Sequence, residues 1–380
     1  MELFGYRLGD LFTRFSSGKN LTEDRITKDE KYPVYGGNGL RGYTDAFNFE
    51  GECILIGRQG AKCGNVRYFH GKGYMTDHAI VGVCTENHSA KFLSLALAGL
   101  NLNRLSGQAA QPGLAVGMLK KQKILLPTKE HQDRIAEILS AYDDLIENNN
   151  KRIKILEQMA EELYKEWFVR FRFPGHENVP FEHGQPQKWE LVRLQEIIDF
   201  DPLVKLPKNG IKVRVPMAAL STSSMLLDTE QYEYTESCSG SRFKNGDTLL
   251  AKITPCLENG KTAFVGGLES SEGAVGSTEY IVMRGKKINP YMVYLLARSQ
   301  WFRQSAVNSM NGSDGRQRAD VKFIKKLKCL LPDEETIENF GTLVKPIFDN
   351  VYLLRDQNIS LRKQRDALLP RLLSGKLEVK

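Results

Sequence analysis

Two stretches of the chain share one plan. The first is KKQKILLP at 120–127, followed by EHQDRIAEILSAYDDLIENNNKRIKILEQMAEELYKEWF at 130–168. The second is IKKLKCLLP at 324–332, followed by EETIENFGTLVKPIFDNVYLLRDQNISLRKQRDALLPRLL at 334–373. Pro127 sets against Pro332, Glu130 against Glu335 and Asp144 against Asp349, all at one constant offset. Each copy reads as a short extended run, a proline stop and a long amphipathic helix. A repeat unit of this length means two modules.

The apolar positions keep a heptad rhythm. In the second copy they are Ile337, Phe340, Val344, Ile347, Val351, Leu354, Leu361, Leu368 and Leu372, with Asn358 and Arg365 interrupting the seam. In the first copy Ile135, Leu139, Tyr142, Ile146, Ile153, Leu156, Ala160, Leu163 and Trp167 trace a similar stripe, with Asn149 a polar break. A helix of about 40 residues spans roughly 60 Å, and one exposed apolar stripe of that length would not be stable alone. The economical solution packs the two helices against each other as an antiparallel coiled coil. Pro346 predicts a kink or a break in the second helix.

Outward from these helices the chain divides into two similar globular parts. The expected plan is a first module at 1–127, a first long helix at 128–170, a connector at 171–188, a second module at 189–332, a second long helix at 333–375 and a tail at 376–380. In the first module the strand candidates are 54–56, 66–69 and 79–83, and AKFLSLALAGLNLNRL at 90–105 reads as a helix. In the second module EGECILIGRQG finds its counterpart in NGDTLLAKITP, GNVRYF in GKTAFV, HAIVGV in TEYIVM and AKFLSLALAGL in NPYMVYLLARS. The fold class this implies is α/β (α+β), in tandem, with a pseudo-two-fold internal repeat.

Composition narrows the function classes. The 380 residues suffice for two or three domains, and no apolar run approaches membrane-spanning length. The opening MELFGYRLGDLF lacks a signal-peptide pattern, so a cytoplasmic location is expected. The six cysteines form no CxxC pair and no zinc spacing with histidine, which predicts reduced, structural thiols. The net charge of +7 suits a polyanionic partner.

Several patterns suggest catalysis and fail on context. Gly37, Gly39 and Gly42 match GxGxxG, but neither the strand before nor the helix after that a dinucleotide site requires is present. Gly260, Lys261 and Thr262 resemble the end of a P-loop, but its leading glycine would fall on Pro255. His78, beside Asp77, has no nucleophile near it in sequence. The sequence offers no catalytic cluster and no metal or cofactor site.

It does offer surfaces suited to nucleic acid. Arg41, Arg58, Gln59, Lys62, Asn65 and Arg67 gather on or near turns between strands of the first module. Arg242, Lys244, Lys252, Asn259 and Lys261 occupy the matching zone of the second. Asn311, Ser313, Arg316, Gln317 and Arg318 form a further polar loop, matched in the first module by Ser106, Gln108 and Gln111. Cations there can neutralise phosphates, while Arg, Gln and Asn can pair with base edges. Tyr35, Tyr43 and Tyr68 are candidates for the same surface or for core packing.

The whole chain resembles the specificity subunit of type I restriction-modification systems. The resemblance rests on the repeated LP…E helix start, WFVRFRFPG at 167–175, AKITPCLENGK at 251–261, YGGNGLRGY at 35–43 and LLPRLLSGKL at 368–377. It implies two target-recognition domains, each reading one half of a split double-stranded DNA target, held apart by the antiparallel helices. It implies no catalysis in this chain. Two modification subunits would bring S-adenosylmethionine and methylate adenine at N6, and restriction subunits would bring ATP- and Mg2+-dependent translocation and cleavage. The two modules are not close copies (RLQEIIDF stands where the first has RLGDLFTRF), so the expected target is asymmetric. The competing readings are a scaffold that does not read DNA and a self-contained nuclease. The nuclease reading lacks an acidic-plus-lysine cluster.

Overall fold

The computed structural model describes residues 1–380 except 61, 107–112, 270–272, 314, 378 and 380. The chain divides into two compact units, Met1–Glu147 with Ile359–Lys380, and Asn148–Asn358.

The first unit opens with β1 (Phe4–Arg7) and a 3-10 turn. There follow β2 (Phe12–Ser17), β3 (Tyr32–Gly36), β4 (Gly39–Thr44), β5 (Phe49–Gly57), β6 (Val66–Met75) and β7 (Ala79–Cys84). These six form one sheet in the order β2-β7-β5-β6-β3-β4. The β3–β6 pairing is parallel, and the other pairings are antiparallel. Central β5 is buried on both faces, which is why CILI reads as an unbroken apolar run. Ile54 and Ile56 join the core beneath α1 (Ala90–Gly99), while Cys53 and Leu55 join Phe69, Met75 and Val81 on the other side. After α2 (Val116–Lys120), β8 (Lys123–Leu126) returns to pair with β1, Tyr6 against Ile124. Pro127 then stops the strand, and α3 (Lys129–Phe168) begins.

The second unit carries the small hairpin β9 (Phe181–Glu182) and β10 (Gln185–Pro186), then repeats the plan. Its elements are β11 (Glu190–Arg193), α4 (Leu194–Ile197), β12 (Ile198–Phe200), β13 (Lys212–Val215), β14 (Glu233–Thr235), β15 (Ser241–Phe243), β16 (Thr248–Ala251), β17 (Thr262–Phe264), β18 (Ala274–Gly276) and β19 (Tyr280–Gly285). They continue as α5 (Pro290–Arg298), α6 (Gln300–Asn308), α7 (Val321–Lys326), β20 (Lys328–Leu331) and α8 (Glu334–Leu373). The order β12-β19-β16-β17 reproduces β2-β7-β5-β6, and β11–β20 reproduces β1–β8. A separate sheet, β14-β13-β18-β15, holds the second unit's parallel pair, β13 with β18. The helices begin where side chains accept the orphan N–H groups of the first turn: Asn289 for α5, Ser299 for α6, Asp320 for α7 and Asp333 for α8.

The two long helices run antiparallel. In the first unit Ile135 and Leu139 of α3 share a core with Leu372 of α8, and Arg365 donates to Asp143. In the second unit Asn149 Nδ2 donates to Asn358 Oδ1 at 3.0 Å, and Asn358 Nδ2 donates to Asn150 Oδ1 at 2.9 Å. Further along, Phe340 meets Phe168 and Trp167 with ring centroids 4.7 and 5.3 Å apart. Moving forward along α3 is moving backward along α8. The two asparagine breaks in the apolar stripes are therefore each other's partners.

Of the kink or break expected at Pro346, the break does not occur, since α8 is one helix from Glu334 to Leu373. The N–H that proline lacks would have bonded to the carbonyl of Thr342. Both residues are exposed, so water can satisfy that carbonyl. On the opposite face Val344, Phe348 and Val351 are buried, and their packing holds the helix through the defect.

Glu157 of α3 points into the second unit, where its carboxylate accepts from Met225 N at 2.6 Å and Ser224 Oγ at 2.7 Å. Burial pushes its pKa above the ordinary carboxylate value, against the lowering effect of those two hydrogen bonds. The folded state thus holds this proton more tightly than the unfolded chain. Its contribution to stability is most favourable in acid and declines as pH rises through the ordinary carboxylate value toward the raised one. Glu157→Gln can accept both hydrogen bonds through its amide oxygen and carries no such penalty. Unfolding midpoints measured across that range should show the variant gaining on the parent as pH rises, whereas parallel curves would contradict the assignment.

Candidate nucleic-acid interface

In the first unit the β5–β6 turn, the β3–β4 hairpin turn and the segment before β7 interlock. Glycine permits this, because a Cβ on Gly37 would lie 2.9 Å from the Gln59 carbonyl oxygen and one on Gly57 2.5 Å from that of Gly37. Arg58 N donates to the His78 carbonyl at 2.9 Å, and its guanidinium reaches Ser17 Oγ at 3.3 Å. Gln59 Oε1 and His78 Nδ1 lie 2.9 Å apart. The Arg67 guanidinium passes over Gly39, and the Arg41 stem passes over Gly36. Arg41 also pairs with Glu23 at 3.2 Å. Lys62 and Asn65 are exposed on the same β5–β6 turn. The fold thus brings all six first-module residues into one loop cluster. Of their cations only Arg41 has an ion-pair partner among the described residues.

The second unit builds the same backbone device. Lys252 N donates to the Glu279 carbonyl at 2.9 Å, as Arg58 does to His78. Ala319 N donates to the Lys252 carbonyl, as Leu114 does to that of Arg58. Ala251 N donates to the Lys261 carbonyl, as Gly57 does to that of Asn65. These bonds make Lys252 the counterpart of Arg58, Glu279 of His78 and Lys261 of Asn65. Two of the string pairings made from sequence, EGECILIGRQG with NGDTLLAKITP and HAIVGV with TEYIVM, are therefore shifted by one residue. The bridges Gln59–Gly113 and Ile253–Arg318 further match Gly113 with Arg318.

The side chains differ more than the backbones. Arg318 binds Glu279 through Nε and Nη2, and those hydrogen bonds hold the Glu279 carboxyl below its usual range. Lys261 Nζ is turned inward to the Met217 carbonyl at 2.9 Å. Arg242 lies on β15, with Nε donating to the Cys238 carbonyl at 3.2 Å. Lys244, Asn259, Asn311, Ser313 and Arg316 are exposed, and Gln317 is half-buried with its carbonyl accepting from Thr254. Ser106 is half-buried, and Gln108 and Gln111 lie outside the described residues. Tyr35 packs edge-on to Phe69, and the Tyr68 hydroxyl donates to Glu52. Sequence reasoning passed over Glu279, because an acidic residue in TEYIVM carries no nucleic-acid signal of its own. Among the described residues no group of three or more His, Cys, Asp or Glu side chains could hold a metal ion, and no helix is long and apolar enough to cross a membrane.

Comparison with known proteins converges on one family. Residues 4–158 match the family model for the type I restriction modification DNA specificity domain. The EcoprrI specificity subunit of Escherichia coli is 40% identical over 142 residues, covering 36% of this chain and 35% of that protein. The MjaIX specificity subunit of Methanocaldococcus jannaschii is 28% identical over 289 residues, covering 73% of this chain and 66% of that protein. The chain thus spans 35% of the first relative's own length and 66% of the second's. The crystal structure of a type I restriction-modification S subunit from M. genitalium shares the fold, with a TM-score of 0.64 over 98% of this chain and 96% of that one at 17% identity. Residues 4–158 thus carry the mark of the type I restriction modification DNA specificity domain, and the similarity to specificity subunits extends over 73% of the chain.

Within this chain the central WFVRFRFPG is a helix terminator. Phe171 takes a left-handed φ of 57° just past α3 and sits edge-on to Trp189 at 5.4 Å, while Phe173 stacks on Trp189 at 5.3 Å. Both arginines of the motif pair with Glu166. The closing LLPRLLSGKL likewise packs, with Leu372 and its neighbours Leu368, Leu369, Leu373 and Leu377 against the first unit's core. Two of the motifs on which the resemblance rests are thus devoted to packing.

Proposed function

We propose that this chain is a type I specificity subunit that reads an asymmetric, bipartite double-stranded DNA target and positions modification and restriction subunits on it. The recognition modules are residues 1–127 and 189–332. The spacer helices are 128–170 and 333–375, the connector is 171–188 and the tail is 376–380. The observation that carries this reading is one backbone device built twice with different side chains at matched places: Arg58 for Lys252, His78 for Glu279, Asn65 for Lys261 and Gly113 for Arg318. A single scaffold whose exposed groups vary while its hydrogen-bonded frame does not is suited to presenting two different readout surfaces.

The contact set is Arg41, Arg58, Gln59, Lys62, Asn65 and Arg67 for one half-target, and Arg242, Lys252, Asn259, Lys261, Arg316, Gln317 and Arg318 for the other. Catalysis belongs to the partners. Two modification subunits would carry S-adenosylmethionine and methylate adenine N6, and restriction subunits would use ATP and Mg2+. The complex works in the cytoplasm, with no membrane partner.

Arg58→Ala tests the contact set. Among the described residues the Arg58 side chain makes one hydrogen bond, to Ser17, so its loss leaves the frame standing. In complex with the modification subunit, target affinity should fall about tenfold or more with the unfolding midpoint unchanged. Undiminished binding would remove Arg58 from the interface.

A further inference from the structure

Arg318 is held unusually well for an exposed side chain. Its backbone N–H and C=O pair with Asn311 at 2.9 and 3.0 Å, and it bridges Ile253. A guanidinium has five N–H donors. Nε donates to the two Glu279 carboxylate oxygens at 3.1 and 3.0 Å, and Nη2 donates to Oε1 at 2.7 Å. Nη1 donates to the Arg316 carbonyl at 3.2 Å. Among the described residues one N–H therefore remains on each terminal nitrogen, and the two form the end-on fork of the planar guanidinium when the Arg316 carbonyl takes the Nη1–H on the Cδ side. The side chain is 47% exposed.

Resting on the DNA-reading function above, we propose that Arg318 reads a guanine in the half-target bound by the second unit, and that Glu279 is its positioning residue. The free fork matches the adjacent O6 and N7 acceptors of guanine in the major groove. A phosphate could also accept a fork. Glu279 decides between them, because its charge cancels that of Arg318 while leaving the donor geometry intact. A neutralised, oriented fork suits an uncharged base edge, whereas binding to the polyanionic backbone draws on net positive charge. Glu279 is itself anchored, with its N–H donating to Ser277 Oγ at 3.2 Å and its carbonyl accepting from Lys252. In the first unit the matching places hold Gly113 and His78, so this contact belongs to one half of the target.

The test compares the methylation motif written by the complex containing the parent chain, Arg318→Lys or Glu279→Gln. The parent motif should contain a guanine in one half that becomes degenerate in both variants, with the other half unchanged. In competition binding, preference for that guanine should drop about ten- to a hundredfold. Replacing it with 7-deazaguanine, which lacks N7, should weaken the parent and leave Arg318→Lys unaffected. Co-purification with the modification subunit confirms that each variant is folded, and Glu279→Gln alone decides the matter should Arg318→Lys not assemble. An unchanged motif in the assembled variants would overturn the proposal. So would a loss of affinity equal on all sequences, which would make Arg318 a phosphate contact. A parent complex that writes no motif would overturn the DNA-reading function itself.

Discussion

Phe340→Ala is expected to destabilise the second unit by about 3–5 kcal/mol, the range for removing a buried aromatic side chain. Phe340 is fully buried, and its ring meets those of Phe168, Trp167 and Tyr164 at 4.7, 5.3 and 6.4 Å. These neighbours all come from α3, so the cavity would open in the seam between the two long helices. Phe340→Leu, which refills part of the space, should lose less. Denaturant unfolding of the full chain, followed by tryptophan fluorescence, measures both, since Trp167 and Trp189 are in the same cluster. A loss below about 1 kcal/mol would mean that the seam is not packed as described.

The second large effect concerns the asparagines. Asn358→Leu removes the acceptor of Asn149 Nδ2 and the donor to Asn150. Asn149 is only 6% exposed and would be left with a buried, unmet amide, a cost of about 1–3 kcal/mol. The double variant Asn149→Leu with Asn358→Leu removes both partners and should recover that loss or exceed the parent in stability. A double-mutant cycle would read the coupling directly. Additive losses would contradict the pairing. The pair also bears on uniqueness. Leucine seams tolerate sliding, whereas a buried asparagine pair is satisfied in one register only.

Much of this was legible in the sequence because periodicity and repetition act over long distances. Forty-residue helices with apolar positions at alternating steps of three and four leave little choice of structure, and the offset from Pro127 to Pro332 announced two modules. Three strands of the first module, β5, β6 and β7, were visible, β5 most plainly because it is buried on both faces. What escaped was local. Pro346 argued for a kink or a break, and the packing of Val344 and Phe348 carries the helix through without a break. The correct match of Arg58 to Lys252 rests on backbone hydrogen bonds, and strings of similar apolar residues slide by one without penalty. The candidate residues were found as a composition of loops. The open set around Arg58 and the pairing of Arg318 with Glu279 depend on side-chain partners that no spacing encodes. WFVRFRFPG was visible as a motif, and its arginines resemble a basic contact until Glu166 is seen beside them.

The most direct test of the account is to co-express the chain with the modification subunit it is proposed to bind and map methylated adenines across a genome by single-molecule sequencing. A motif of two different short sequences separated by a gap of fixed length and no sequence preference is the predicted result. A soluble complex that leaves no motif would contradict the account and make the chain a scaffold that does not read DNA.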